Sequence, residues 1–172
     1  VIALGEAKFG AGKGAKTSVT IALGTGIGGG IYIDGNLISG FTGAGGEVGH
    51  MKLVKDGKLC GCGQKGCFEA YASATGIERE AVSRLLVNKT NLLYEKIGGD
   101  VSRLEAKDVF DAAKEGDAFS LEIVDYEAEY LAMGIGNILN IINPEKVILG
   151  GGVALAGDIL LDRVKEKLPK YA

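Results

Sequence analysis

A layered α/β lobe is the fold class this sequence predicts, and three patterns predict it. Apolar, β-branched runs separated by glycine turns fill roughly the first forty residues. A long stretch of helical periodicity begins at Asp117, and a late apolar run leads through a glycine turn into another helix. A β-meander followed by helices and a late β-Gly-α unit packs most simply as a sheet covered by helices.

The elements follow in order. Val1 to Phe9 carries apolar residues at helical spacing and runs into the loop GAGKGAK. SVTIALG (18–24) reads as a buried strand, GTGIGGG as a turn, IYIDG as a second strand and LISG, after the turn DGN (34–36), as a short third. GFTGAGGEVGH (40–50) is loop. FEAYASATGIEREAVSRLLV (68–87) reads as a short and a longer helix divided near Thr75–Gly76, and NKTNLLYEKIGGD (88–100) shows no clear period. Ala106 to Glu115 is a short helix, with Gly116 suited to its C-terminal cap. From Asp117 to Asn140 the helical signal is strongest: Phe119, Ile123, Tyr126, Tyr130, Met133, Asn137 and Ile141 follow one stripe. Asn143–Pro144 ends it, because the residue before proline is pushed out of the helical region. KVILGGG (146–152) is a strand into a glycine turn, and Ala154 to Leu168 a helix stopped by Pro169.

Composition narrows the function. Apolar residues make up 47% of the chain, enough for a real core, and the net charge of −3 lacks the basic excess of a nucleic-acid surface. No nucleic acid is therefore expected as a partner, and the lysines at 8, 13, 16, 52, 55 and 58 read as solvated loop residues. No apolar run reaches bilayer length and no signal peptide opens the chain, so no membrane partner and a cytoplasmic location are expected. Glycine is the outlier, 29 of 172 residues, which calls for tight turns or backbone pressed against a ligand.

Two glycine motifs are decoys. GTGIGG (24–29) fits G-x-G-x-x-G after a strand, yet a strand follows it, where a dinucleotide fingerprint must open a helix. GAGKGAKTS (10–18) nearly spells a P-loop but lacks its Gly-Lys-Ser/Thr. What remains is a hairpin with Thr25 at its tip, offering backbone N–H groups and a hydroxyl to an anion, or simply a tight turn. The glycines at 150–152 are either a phosphate approach before a helix or a packing turn. Two such places in one chain favour a nucleotide.

The only histidine and all three cysteines lie within His50–Cys67, spaced H-x9-C-x-C-x4-C. Four N/S ligands suit tetrahedral zinc, and a Cys3His set leaves no open position for water, so the metal is expected to brace rather than catalyse. The competing readings are three buried free cysteines beside an unrelated histidine, or a redox C-x-C pair. Neither explains why nothing else in the chain uses Cys or His. Glu47 and Glu69 flank the cluster. A zinc-bound imidazole presents its other nitrogen to something, and a hydroxyl held between two carboxylates would suit; two solvated glutamates are the alternative.

Together LGTGIGGGI (23–31), GGEVGHM (45–51), CGCGQKGCFEAYAS (60–73) and KVILGGGV (146–153) resemble the ROK family of bacterial sugar kinases and sugar-responsive repressors, its glucokinases above all. The resemblance implies an actin-like, ribonuclease-H-like ATPase fold with sugar in a cleft between two lobes and ATP beside it. It implies zinc on His50, Cys60, Cys62 and Cys67, and sugar contacts from Glu47, His50 and Glu69. Thr25 and Gly26 would sit in the second phosphate loop, and Gly150, Gly151 and Gly152 against adenosine.

The family's first phosphate loop and its catalytic aspartate have no match here and are expected upstream of Val1, so none of these residues is expected to be the catalytic base. Residues 1–172 are therefore expected to form the C-terminal lobe of a sugar kinase, incomplete at both ends and inactive alone, with 45–73 as its zinc-bearing sugar-contact segment. The full reaction would move phosphate from ATP, with Mg²⁺, to a hexose, glucose by expectation, and a homodimer is expected by analogy. The alternatives are the sugar-sensing domain of a repressor and a zinc-braced assembly domain without ligand.

Overall fold

The computed structural model describes all 172 residues, Val1–Ala172. A mixed four-stranded sheet of order β3-β2-β1-β4 forms one layer. Helix α1 (Ile2–Phe9) precedes β1 (Thr17–Leu23), β2 (Ile27–Ile33) and the two-residue β3 (Asn36–Leu37). Then come α2 (Glu69–Ala72), α3 (Ala74–Leu85), α4 (Leu92–Lys96), α5 (Ala106–Lys114) and α6 (Ala118–Ile142), followed by β4 (Lys146–Gly150) and α7 (Asp158–Lys167). β1 is central, antiparallel to β2 and parallel to β4. Its Val19, Ile21 and Leu23 are wholly buried, and Ser18 and Thr20 between them are buried too, as in an inner strand covered on both faces. No helix is long and apolar enough to cross a membrane.

The hairpin differs from its sequence reading. Gly28–Gly30 belong to β2, and only Gly24–Gly26 make the turn. Those glycines serve close approach instead: a Cβ at Gly29 would strike the Gly46 carbonyl, and one at Gly30 would strike Ala3 of α1. Here α1 and the 46–48 loop lie directly on the strand backbone. The Asp34–Gly35 turn into β3 has positive φ at both residues, as a two-residue hairpin of matching twist demands.

Three helix boundaries also move. The break in 68–87 falls at Ser73, whose hydroxyl caps α3 by accepting from Gly76 N at 3.1 Å. Within 88–100, Asn91 caps the short α4 by accepting from Tyr94 N at 2.8 Å. The last helix starts at Asp158, because Gly157 (φ 75°) interrupts the 3-10 turn Val153–Ala156. Pro169 sits inside a closing 3-10 turn, Leu168–Lys170.

Helix α6 is the axis of the second layer and packs against α2, α3, α5 and α7. Asp117 caps it by accepting from Ser120 N at 3.0 Å, and Asn143 ends it in the left-handed conformation (φ 48°). Its buried face is not the predicted stripe. Of those seven residues only Ile123 is fully buried, and Ile141 is exposed. The interior face runs instead through Ser120, Val124, Glu127, Ala128, Leu131, Ile135 and Ile138. Small and polar residues hide that face from a count of large apolar side chains. Glu127 lies in its middle, with 0% exposure and neither carboxyl oxygen hydrogen-bonded.

Candidate functional site

Two glycine turns leave the same end of the sheet. β1 and β4 run parallel with Ala22 opposite Gly150, so Gly24–Gly26 and Gly150–Gly152 emerge side by side. That is where open α/β sheets bind ligands, beyond the carboxyl ends of parallel strands. Gly151 is required at its place: its φ is 88°, and a Cβ there would run into the Leu23 backbone.

Beyond the turns lies a cavity of about 540 Å³, a size suited to a nucleoside-sized ligand. Gly24, Thr25, Gly152 and Val153 form one wall, and α5 forms the other through Lys107, Phe110, Asp111 and Lys114. Of the predicted nucleotide residues, Thr25 and Gly152 reach the cavity, while Gly26, Gly150 and Gly151 shape the turns behind it. The α5 wall escaped the sequence reading. Its positions 107, 110, 111 and 114 do share one helical face, but two lysines and an aspartate among them read as a solvated surface.

The four metal candidates converge. Their ligand atoms all lie within 4.8 Å of one another. Cys62 Sγ and Cys67 Sγ are 3.7 Å apart, and His50 Nδ1 is 3.9 Å from Cys60 Sγ. Bonds of typical zinc length in a tetrahedron put two sulfurs about 3.8 Å apart and a sulfur and a nitrogen about 3.6 Å apart. These two separations match a tetrahedral ion within a few tenths of an ångström, and the 4.8 Å span of the whole set leaves an adjustment of about 1 Å at most for the other pairs. With Nδ1 facing Cys60, His50 leaves Nε2 for an outside partner.

The surroundings tune these groups. Burial pushes the Cys60 thiol well up, whereas the Gln64 N–H beside Cys62 draws its thiol down. Lys52 Nζ donates to Cys67 Sγ at 2.8 Å, and that contact raises the lysine. The loop itself is closed by bridges Lys52↔Cys67 and Leu59↔Lys65. A second anchor lies at Lys58, whose ammonium reaches Glu80 at 2.6 Å and the Tyr126 hydroxyl at 2.7 Å. Its backbone N–H donates to the Tyr71 hydroxyl at 2.7 Å, and Tyr71 stacks on Tyr130.

Of the predicted sugar residues, His50 belongs to this cluster and Glu69 touches it, while Glu47 is near it in sequence only. Glu69 Oε1 is 3.4 Å from Cys60 Sγ, and its Oε2 accepts from Ile27 N at 2.9 Å. Glu47 is exposed and lies just before the 3-10 turn Val48–His50, its carbonyl accepting from His50 N at 3.1 Å. A smaller cavity of about 230 Å³ touches Thr25, Cys60, Glu69 and Arg79; of the predicted sugar residues only Glu69 lines it, Glu47 and His50 do not. Thr25 thus borders both cavities.

The model of the ROK family matches residues 1–172, the whole chain. The chain belongs to the ROK family. This ROK chain is 47% identical to a glucokinase from Halalkalibacterium halodurans over 176 residues, an alignment covering 100% of this chain and 52% of that protein. Among solved structures it is similar to a ROK family glucokinase from Streptomyces griseus in complex with glucose and AMPPNP, with a TM-score of 0.92 and 35% identity over 98% of this chain and 55% of that one. It is also similar to a ROK family transcriptional regulator, a homologue of the E. coli MLC protein, with a TM-score of 0.87 and 30% identity over 99% and 42% of the two chains. The ROK chain therefore spans about half the length of the curated relatives it matches. Its mixed sheet and helices match the actin-like kinase fold of that family.

Proposed function

We propose that this chain is the C-terminal, sugar- and nucleotide-binding half of an ATP-dependent hexokinase that phosphorylates glucose at its 6-hydroxyl. The observation that carries the reading is Thr25, which stands between the larger cavity and the smaller one beside the thiol cluster. A phosphate held on the Gly24–Gly26 turn would face a hexose held at Glu47, His50 Nε2 and Glu69. Phosphoryl transfer consists mainly of positioning and charge neutralisation, so two adjoining pockets sharing one phosphate turn are a sound basis for it.

The roles divide as follows. Thr25 and Gly26 hold phosphate; Gly150, Gly151 and Gly152 shape the adenosine approach; Phe110 and Val153 supply the apolar walls of the cavity. Glu47 and Glu69 accept from sugar hydroxyls, and His50 donates from Nε2 while Nδ1 faces the metal. Zinc on His50, Cys60, Cys62 and Cys67 braces the loop that presents them, and Mg²⁺ accompanies ATP to neutralise the phosphates. The proton of the attacking hydroxyl goes to an aspartate that the family carries ahead of the segment matched here. The intact protein works in the cytoplasm as a homodimer.

A second reading is the sugar-sensing domain of a repressor, favoured by the similarity to the ROK transcriptional regulator. The intact glycine turns and the roomy cavity speak for the kinase, since a sensor has no need of a nucleotide. The test is calorimetric titration with AMPPNP and glucose, followed by a coupled ATP assay. Binding of both, with turnover only in a polypeptide that includes the upstream aspartate, supports the kinase. Glucose binding without AMPPNP binding would make it a sensor, no ligand binding would leave an assembly domain, and turnover by these 172 residues alone would overturn the placing of the base.

A further inference from the structure

The short segment Glu69–Ala74, helix α2 and the start of α3, joins the metal loop to the phosphate turn by a contact at each end. Glu69, its first residue, stands two positions after Cys67, and its Oε2 accepts the N–H of Ile27, the residue that follows Gly26. At its other end, Ala74 N donates to the Gly24 carbonyl at 2.8 Å. Within the turn there is otherwise only Gly24 N to Gly26 O at 2.9 Å. The fit against the carboxylate is close: a Cβ at Gly26 would run into Glu69 Oε2. The turn is gripped at one end by the first residue of α2 and at the other by the first residue of α3, and α2 begins two residues after the candidate metal ligand Cys67.

We propose that Glu69 is a positioning residue for the phosphate turn, coupling occupancy of the sugar side of the site to nucleotide affinity. The proposal rests on the sugar and nucleotide reading above and adds a second task to a residue which that reading uses only for the hexose. The two oxygens divide the work. Oε2 fixes the Ile27 amide and with it the direction of the Gly26 and Thr25 N–H groups; Oε1 points to the cluster side, 3.4 Å from Cys60 Sγ, where a hexose hydroxyl would donate to it. A hexose that holds Oε1 stiffens the same carboxylate whose other oxygen sets the turn. Nucleotide then meets a turn already ordered, and the two ligands bind each other's complex more tightly by the same factor.

The experiment compares wild type, Glu69→Ala and Glu69→Gln in the intact polypeptide, using AMPPNP and glucose as probes and checking zinc content of each. In wild type, saturating glucose tightens AMPPNP binding several-fold. Glu69→Ala weakens AMPPNP about tenfold even without glucose and abolishes the coupling, as loss of a charge-assisted hydrogen bond to the turn would. Glu69→Gln, whose amide oxygen still accepts from Ile27, recovers most of that loss. Amide exchange supplies a readout free of ligand: Ile27 is protected in wild type and exchanges faster in Glu69→Ala. Should Glu69→Ala fail to fold or hold zinc, Gly26→Ala displaces Oε2 while leaving the carboxylate in place, and the same loss of AMPPNP affinity and of Ile27 protection is expected. Unchanged AMPPNP affinity and Ile27 exchange in a folded variant, with only glucose weakened, overturn the proposal and leave the kinase reading standing. Wild type that binds neither probe removes the kinase reading itself.

Discussion

Replacing Glu127 by methionine should stabilise the protein, and by more at neutral pH than at pH 5. The carboxyl sits in the interior face of α6 with no exposure and no hydrogen-bond partner for either oxygen. Burial alone pushes it well above its ordinary value of 4.5. The sign follows from linkage. Between 4.5 and the raised folded value, the unfolded chain has released this proton and the folded chain still holds it, so the unfolded state binds fewer protons and stability falls as pH rises. The slope is about 1.4 kcal/mol per pH unit across that window, ending where the folded carboxyl at last ionises. Methionine has a similar length and no proton, so every other titration cancels in the comparison. For a domain of this size about 1 kcal/mol moves Tm by roughly 2–4 °C, so the gap between Glu127→Met and wild type should widen by about 3–6 °C per pH unit. Scanning calorimetry of both proteins at pH 5, 6 and 7 measures it. A gap that stays constant or narrows with rising pH refutes the reasoning, because it would mean that Glu127 is ionised and partnered in the fold.

Three further outcomes are expected. Elemental analysis of gently purified protein should find about one zinc per chain, and Cys67→Ser should lose it; purified protein without metal would defeat the cluster. Gly151→Ala should cost about 2 kcal/mol in urea unfolding and weaken AMPPNP, since it combines a positive φ with a clash against the Leu23 backbone. Asn143→Gly should be neutral or slightly stabilising in the same assay, while Asn143→Ala should cost about 1 kcal/mol, because the left-handed cap of α6 suits glycine and strains alanine.

The order of elements and the metal cluster were legible because they are local. The run SVTIALG is β-branched and apolar as a buried strand must be, and four ligands of two types within eighteen residues can hardly escape notice. The stripe on α6 was misjudged because burial there was assigned to large apolar residues, while Ser120, Ala128 and Glu127 do the facing inward. Gly28–Gly30 passed for turn because glycine signals turns, and only the neighbours pressing on β2 reveal why a strand needs them. At the site, Thr25, His50 and Glu69 could be proposed from motifs. The α5 wall could not, since which helix closes a cavity is a matter of tertiary packing and leaves no mark in spacing.

Lys58 has a bearing on how the chain meets metal scarcity. Its ammonium is tied to Glu80 and Tyr126, and its backbone to Tyr71, all without help from the thiols. The Lys58 end of the loop therefore has a mooring of its own, so that if the cluster holds an ion, its loss would free chiefly the stretch from Cys60 to Cys67. Emptying such a site would be a local slackening that a returning ion could reverse, with three sulfurs and a histidine kept near enough to one another to be collected again.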